Sequence, residues 1–161
     1  VVQMTLTTYD EELCRKIEPH VSTTRERFEV LMRCKELGIP TLVWMTPILP
    51  FINDTRENIE GLLDYCLLAG VQGVLVVDVG VTLREGDREY FYQALDRDFP
   101  SIRQKYISTY GNAYDIPSPY AKELMALIQN TCVANGMLCS PKECFTYLHE
   151  FPERYVQQTL F

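Results

Sequence analysis

The run VQGVLVVDVG at residues 71–80 constrains the fold most, because its Val and Leu residues are nearly unbroken and do not alternate with polar ones. Such a run fits a strand buried on both faces, and a strand of that kind sits inside a parallel sheet covered by helices. Two further strand-like segments precede it. VQMTLTT at 2–8 alternates as a half-buried strand does, and TLVWMT at 41–46 is apolar and rich in β-branched and aromatic residues.

The segments between these strands read as helices. DEELCRKIEP places acids early and bases late, as the helix dipole favours. RERFEVLMRCKELG is opened by Ser22, Thr23 and Thr24, carries Phe28, Leu31, Met32 and Leu37 near helical spacing, and closes at Gly38. TRENIEGLLDYCLLAG is expected to be capped by Asn53 or Asp54, with Ile59, Leu62, Leu63 and Cys66 on one side and Gly70 as terminator. The order is strand, helix, strand, helix, strand, with crossovers long enough for parallel pairing. This predicts a βαβαβ unit over residues 1–85.

Residues 86–161 change character. The stretch 86–110 reads as helix broken near Pro100, GNAYDIPSPY as a turn-rich loop, and AKELMALIQNTCVANG as a helix ending at Gly136. Ser140 and Pro141 open a short helix before an irregular end. No strand is expected there, only a helical extension packed on the first unit.

A length of 161 residues with 47% hydrophobic content suits one globular domain. No segment reaches the roughly 20 apolar residues of a membrane span, so a soluble, cytoplasmic chain is expected. With a net charge of −7 and scattered bases, no basic face for nucleic acid is evident. The opening VVQMTLTTYD lacks an initiator Met and a signal-peptide pattern, as expected of a chain cut from a longer one. Of six cysteines, Cys14, Cys34 and Cys66 lie in helical patterns as small buried hydrophobes. Cys139, Cys144 and His149 only loosely imitate a metal site, lacking tight pairs, so no metal is assigned.

In parallel α/β architecture, ligands lie beyond the carboxyl ends of the strands. The first end offers the hydroxyls of Thr5, Thr7 and Thr8, which suit a ribose or an ammonium group or serve only as strand-surface threonines. The second, TPILPFINDT, offers an apolar wall of Pro47, Ile48 and Pro50, its prolines holding the exit in one shape. The third carries Asp78 among valines. A carboxylate in a buried strand needs a partner, and Arg84 is the nearest candidate, so a structural ion pair and a site carboxylate both remain open. GxGxxG, GxxxxGK[ST], HExxH and GxSxG are all absent.

Three segments, MTLTTYDEELCRKIEPHVSTTRERFEVL, GIPTLVWMTPILPFINDT and LLDYCLLAGVQGVLVVDVGVTLREG, together resemble radical S-adenosylmethionine (SAM) proteins of the spore photoproduct lyase-like family. The resemblance covers residues 2–115, with QQTLF at the end also similar, and corresponds to the C-terminal portion of the catalytic domain. It implies an α/β fold, a partial parallel, TIM-barrel-like (β/α)6 barrel whose fourth to sixth strands are the three read above. It also implies SAM and a [4Fe–4S] cluster as cofactors, with reductive SAM cleavage and radical chemistry on an unknown substrate. The cluster loop CxxxCxxC is absent, so none of the six cysteines is expected to bind the cluster, and the chain alone is expected to be inactive. By position, ribose or amino-acid contacts fall to Thr5, Thr7 and Thr8, adenine contacts to Pro47 and Ile48, and backbone contacts to Val77, Asp78 and Val79, with Arg84 beside them. Phe51 stands where relatives of this family often have Gly.

The resemblance implies the missing N-terminal half of the same chain as partner. An unpaired first strand would otherwise favour a homodimer through its edge, or a helical tail folded across it. A non-catalytic α/β interaction or regulatory domain is the alternative reading.

Overall fold

A computed structural model describes residues 1–150; the QQTLF ending lies outside the described residues. Strands β1 (Val2–Thr5), β2 (Thr41–Trp44) and β3 (Gly73–Leu75) form a parallel sheet in the order β1-β2-β3. Helices α1 (Glu11–Ile17) and α2 (Thr24–Glu36) connect the first two strands, and α3 (Arg56–Ala69) connects the second to the third. The βαβαβ order expected from the sequence is therefore present.

Local chemistry sets the helix ends. Asp10 accepts from the Leu13 N–H, and Thr23 and Glu26 form a reciprocal capping box at the start of α2. Thr55 caps α3 by accepting from the Asn58 N–H, which corrects the expectation of Asn53 or Asp54. Both of those side chains are buried and engaged elsewhere in the fold. Gly70 ends the helix at φ 62°, a conformation open to Gly at little cost.

One face of the sheet, through Val43, Met45, Val74 and Val76, packs against Leu31 of α2 and Ile59, Leu62 and Cys66 of α3. Leu124, Ile128 and Cys132 from α6 (Ala121–Ala134) complete this core. Each such aliphatic side chain contributes roughly 1.5–3 kcal/mol on burial. On the other face, Leu42 and Leu75 are covered by Cys144 of α7 (Pro141–His149), with Trp44, Leu138, Tyr147 and Leu148 around them. A bridge from Leu138 to Gly73 lines the outer edge of β3, while β1 pairs only with β2 among the described residues. The tail helix thus lies over the sheet face near β3, not along the edge of β1.

Two expectations are corrected. The third strand ends at Leu75, after which the chain turns outward, so that Val77 is 66% exposed and Asp78 is exposed as well. Of the two readings open for Asp78, the ion pair with Arg84 is not formed: Arg84 bonds Tyr114, and Asp78 accepts from the Val79 N–H. The cause is the second correction, an antiparallel pair of β4 (Gly80–Thr82) and β5 (Asp115–Pro117), where no strand was expected after residue 86. Between them run α4 (Asp87–Asp98) and α5 (Ile102–Tyr110), broken at Pro100 as expected. This excursion has its own core of Leu83, Tyr92, Leu95, Tyr106 and Ile116.

Candidate functional site

The carboxyl ends of the three strands open onto two adjoining clefts that share Pro47 and Val81. The larger, about 450 Å³, lies between the strand ends and α4; the smaller, about 350 Å³, lies between the end of β3 and the β4–β5 pair. Thr5 and Thr7 line the larger, Val77 and Asp78 the smaller, and Pro47 both. Five residues anticipated from the sequence are therefore brought to one edge of the sheet.

The other four are placed differently. Thr8, Ile48 and Val79 are fully buried and line neither cleft, Ile48 and Val79 belonging to the main core. Arg84 is exposed at the end of the β4 segment, on Tyr114. Its guanidinium holds the Tyr114 hydroxyl below the usual phenol range, first through their hydrogen bond.

A polar network fixes the first strand end. The Thr7 hydroxyl donates to Glu18 Oε1 at 2.6 Å, and Arg27 donates to Glu18 Oε2 at 2.5 Å and to the Thr5 carbonyl at 3.1 Å. Arg27 is mostly buried, so this charge-assisted set is shielded from water and rigid. Asn53 and Asn58 then lock the first strand end to the second. Asn53 Nδ2 donates to the Thr7 carbonyl at 2.9 Å and the Thr8 hydroxyl at 3.1 Å, while its Oδ1 accepts from the Leu49 N–H at 2.6 Å. Asn58 donates to the carbonyls of Thr7 and Asn53, both at 2.9 Å, and accepts from the Tyr9 N–H at 2.6 Å.

The proline exit is anchored from the excursion. The Tyr106 hydroxyl donates to the Pro50 carbonyl at 2.7 Å, and Phe51 packs edge-on against Tyr106. Asp54 accepts from Ser118 at 2.6 Å; burial raises its pKa above the usual carboxylate value, outweighing that hydrogen bond.

The two clefts differ in charge. Asp78 and Asp115 line the smaller one, and no basic side chain among the described residues does. The larger is mostly apolar, with Glu18 already paired to Arg27, and Lys16, Arg97 and Asp98 beside it. Sequence reasoning missed Glu18, although its EP turn after the first helix was visible. It also missed α4 and Asp115, which carry no motif and reach the site only because β4 pairs with β5. No group of three His, Cys, Asp or Glu side chains among the described residues is arranged to hold a metal ion. All six cysteines are free.

No family model matches the sequence, and no solved structure matches it. The chain is similar to an uncharacterized protein of Mycobacterium bovis and to uncharacterized proteins of two Mycobacterium tuberculosis strains. In each case identity is 29% over 123 residues, covering 76% of this chain and 36% of the relative. The chain thus spans little more than a third of the proteins it matches. Among the described residues, no helix is long and apolar enough to cross a membrane.

Proposed function

We propose that the chain is the C-terminal part of a radical SAM enzyme and supplies part of the SAM pocket at the carboxyl edge of its sheet. The observation that carries this reading is the smaller cleft, where Asp78 and Asp115 stand beside Pro47 and Val77 with no base among the lining residues. SAM bears a sulfonium and an ammonium against one carboxylate, so a cleft of negative charge suits it. Pro47 and Val81 offer an apolar face to a flat adenine ring, and Thr46 and Thr82 offer hydroxyls near it.

The residues fit SAM but not the iron–sulfur cluster. The cysteines are dispersed and mostly buried, and burial pushes the Cys132 thiol up to about 12, away from the thiolate a cluster needs. The cluster, which in the resembled family reductively cleaves SAM, would therefore be held by another part of a longer protein. This chain's share is to bind SAM, orient it and exclude water from one side.

The test is calorimetric titration of SAM into a protein extended to the length of the mycobacterial relatives, anaerobically reconstituted with iron and sulfide. Cluster absorbance, SAM binding and 5′-deoxyadenosine formation on reduction are expected. Asp78→Asn is expected to weaken SAM binding about fivefold, the effect of one exposed charge pair. Absence of both cluster and SAM binding would shift the weight to a non-catalytic interaction domain.

A further inference from the structure

We infer that the larger cleft is a second binding site, for an aromatic or other flat apolar molecule bearing one negative charge; as the substrate side of a radical enzyme, it rests on the reading above. Its walls come from two separately packed units. Pro47 and Leu49 stand on the sheet side, while Phe91 and Ala94 of α4 line the other wall, with Ile52 packed against the core of the excursion. A slot between two apolar walls favours a planar guest, and its volume of about 450 Å³ leaves room for an aromatic ring system with its substituents.

Charge selects the guest's polarity. Inside, Glu18 is neutralised by Arg27. At the mouth, Arg97 grips Asp98 at 2.6 Å, and Lys16 also acts on that carboxylate, from the last turn of α1. Two cations thus share one anion, leaving the rim one positive charge in excess on a protein of net charge −7. Tyr90, 73% exposed and one turn before Ala94, adds an aromatic edge to the same rim. The adjoining cleft carries the opposite charge, so a cationic ligand and an anionic one are sorted side by side across Pro47 and Val81.

The probe is 8-anilinonaphthalene-1-sulfonate, an aromatic monoanion whose fluorescence rises in an apolar site, titrated into the folded chain. One saturable site is expected, displaced by 1-naphthoate more readily than by 1-naphthylmethylamine. Lys16→Gln, on an exposed side chain, is expected to weaken the two anions about fivefold and to tighten the amine, from which a like charge is removed. Ala94→Phe is expected to fill the slot and abolish binding, with circular dichroism checking the fold. Equal displacement by acid and amine, or undiminished probe binding in both variants, would overturn the site. SAM and the probe titrated into the same substitutions in the extended, reconstituted protein keep the two readings apart: intact SAM binding with lost probe binding supports both clefts. Probe binding without SAM binding sinks only the SAM pocket.

Discussion

The Ser118 hydroxyl lies 2.6 Å from a carboxylate oxygen of Asp54 and donates to it, tying the turn before α6 to the loop after β2. Both side chains are buried, and the loop they fix carries Pro47 into both clefts. The shape of the site's centre therefore depends on a carboxylate that is costly to ionise.

That cost makes stability depend on pH. Burial raises the Asp54 pKa above its unfolded value near 3.8, so the folded state holds its proton more tightly. Its stabilising contribution is complete below that unfolded value and is lost as pH rises through the folded one. The melting temperature of Asp54→Asn should therefore gain on that of the parent as pH rises through the mildly acidic range. Parallel melting curves for both proteins would reject this. Ser118→Ala removes a donor to the buried group and should cost about 1–3 kcal/mol at neutral pH.

Phe51 adopts φ 65° while its ring packs against Tyr106 and Tyr110 and lies beneath the Lys105 ammonium, 4.0 Å from the ring centre. Left-handed backbone costs a side-chain-bearing residue roughly 1–2 kcal/mol, and Gly escapes that cost. Phe51→Ala loses the ring and keeps the strain, whereas Phe51→Gly loses the ring and relieves it. Both should be destabilising, with the Gly variant more stable than the Ala variant by about 1 kcal/mol in urea unfolding.

Gly73 faces Leu138 so closely that an added Cβ would lie 2.7 Å from the Leu138 carbonyl oxygen and 2.9 Å from Leu42 Cδ2. Val74 N–H donates to that carbonyl, and Leu138 N–H donates to the Gln72 carbonyl. Gly73→Ala should push the 138 segment off the β3 edge and cost about 1–3 kcal/mol. Amide exchange is the direct readout: faster exchange at Val74 and Leu138 is expected, and unchanged protection there would refute the account.

Thr55 caps α3, whereas Asn53, two residues earlier, bonds the strand ends, and the two have different consequences. Thr55→Ala removes a cap on an exposed turn and should cost about 1 kcal/mol, leaving the clefts intact. Asn53→Ala leaves the buried Leu49 N–H without its partner and the Thr7 carbonyl with Asn58 alone, and should cost about 1–3 kcal/mol. Loosening of the strand ends should also reduce probe binding in the larger cleft for Asn53→Ala but not for Thr55→Ala. Equal loss in both would show that the asparagine only caps.

The sequence by itself determined the parallel sheet, its helices and the edge on which the clefts lie. Periodicity, caps and the Val-rich run act over a few residues, and the carboxyl ends of β1, β2 and β3 follow from their order. Thr5, Thr7, Pro47 and Asp78 were legible for that reason, and Val77 was named only through the resemblance. Only the tertiary structure decided where Asp78 points, that Arg84 bonds Tyr114, and that Asn53 stitches two loops together rather than capping a helix. It also decided that α4 forms a cleft wall. Those outcomes depend on the pairing of β4 with β5, segments three residues long and separated by two helices. A strand of three residues leaves almost no periodic signal, and its identity is settled by the distant chain that offers it hydrogen bonds.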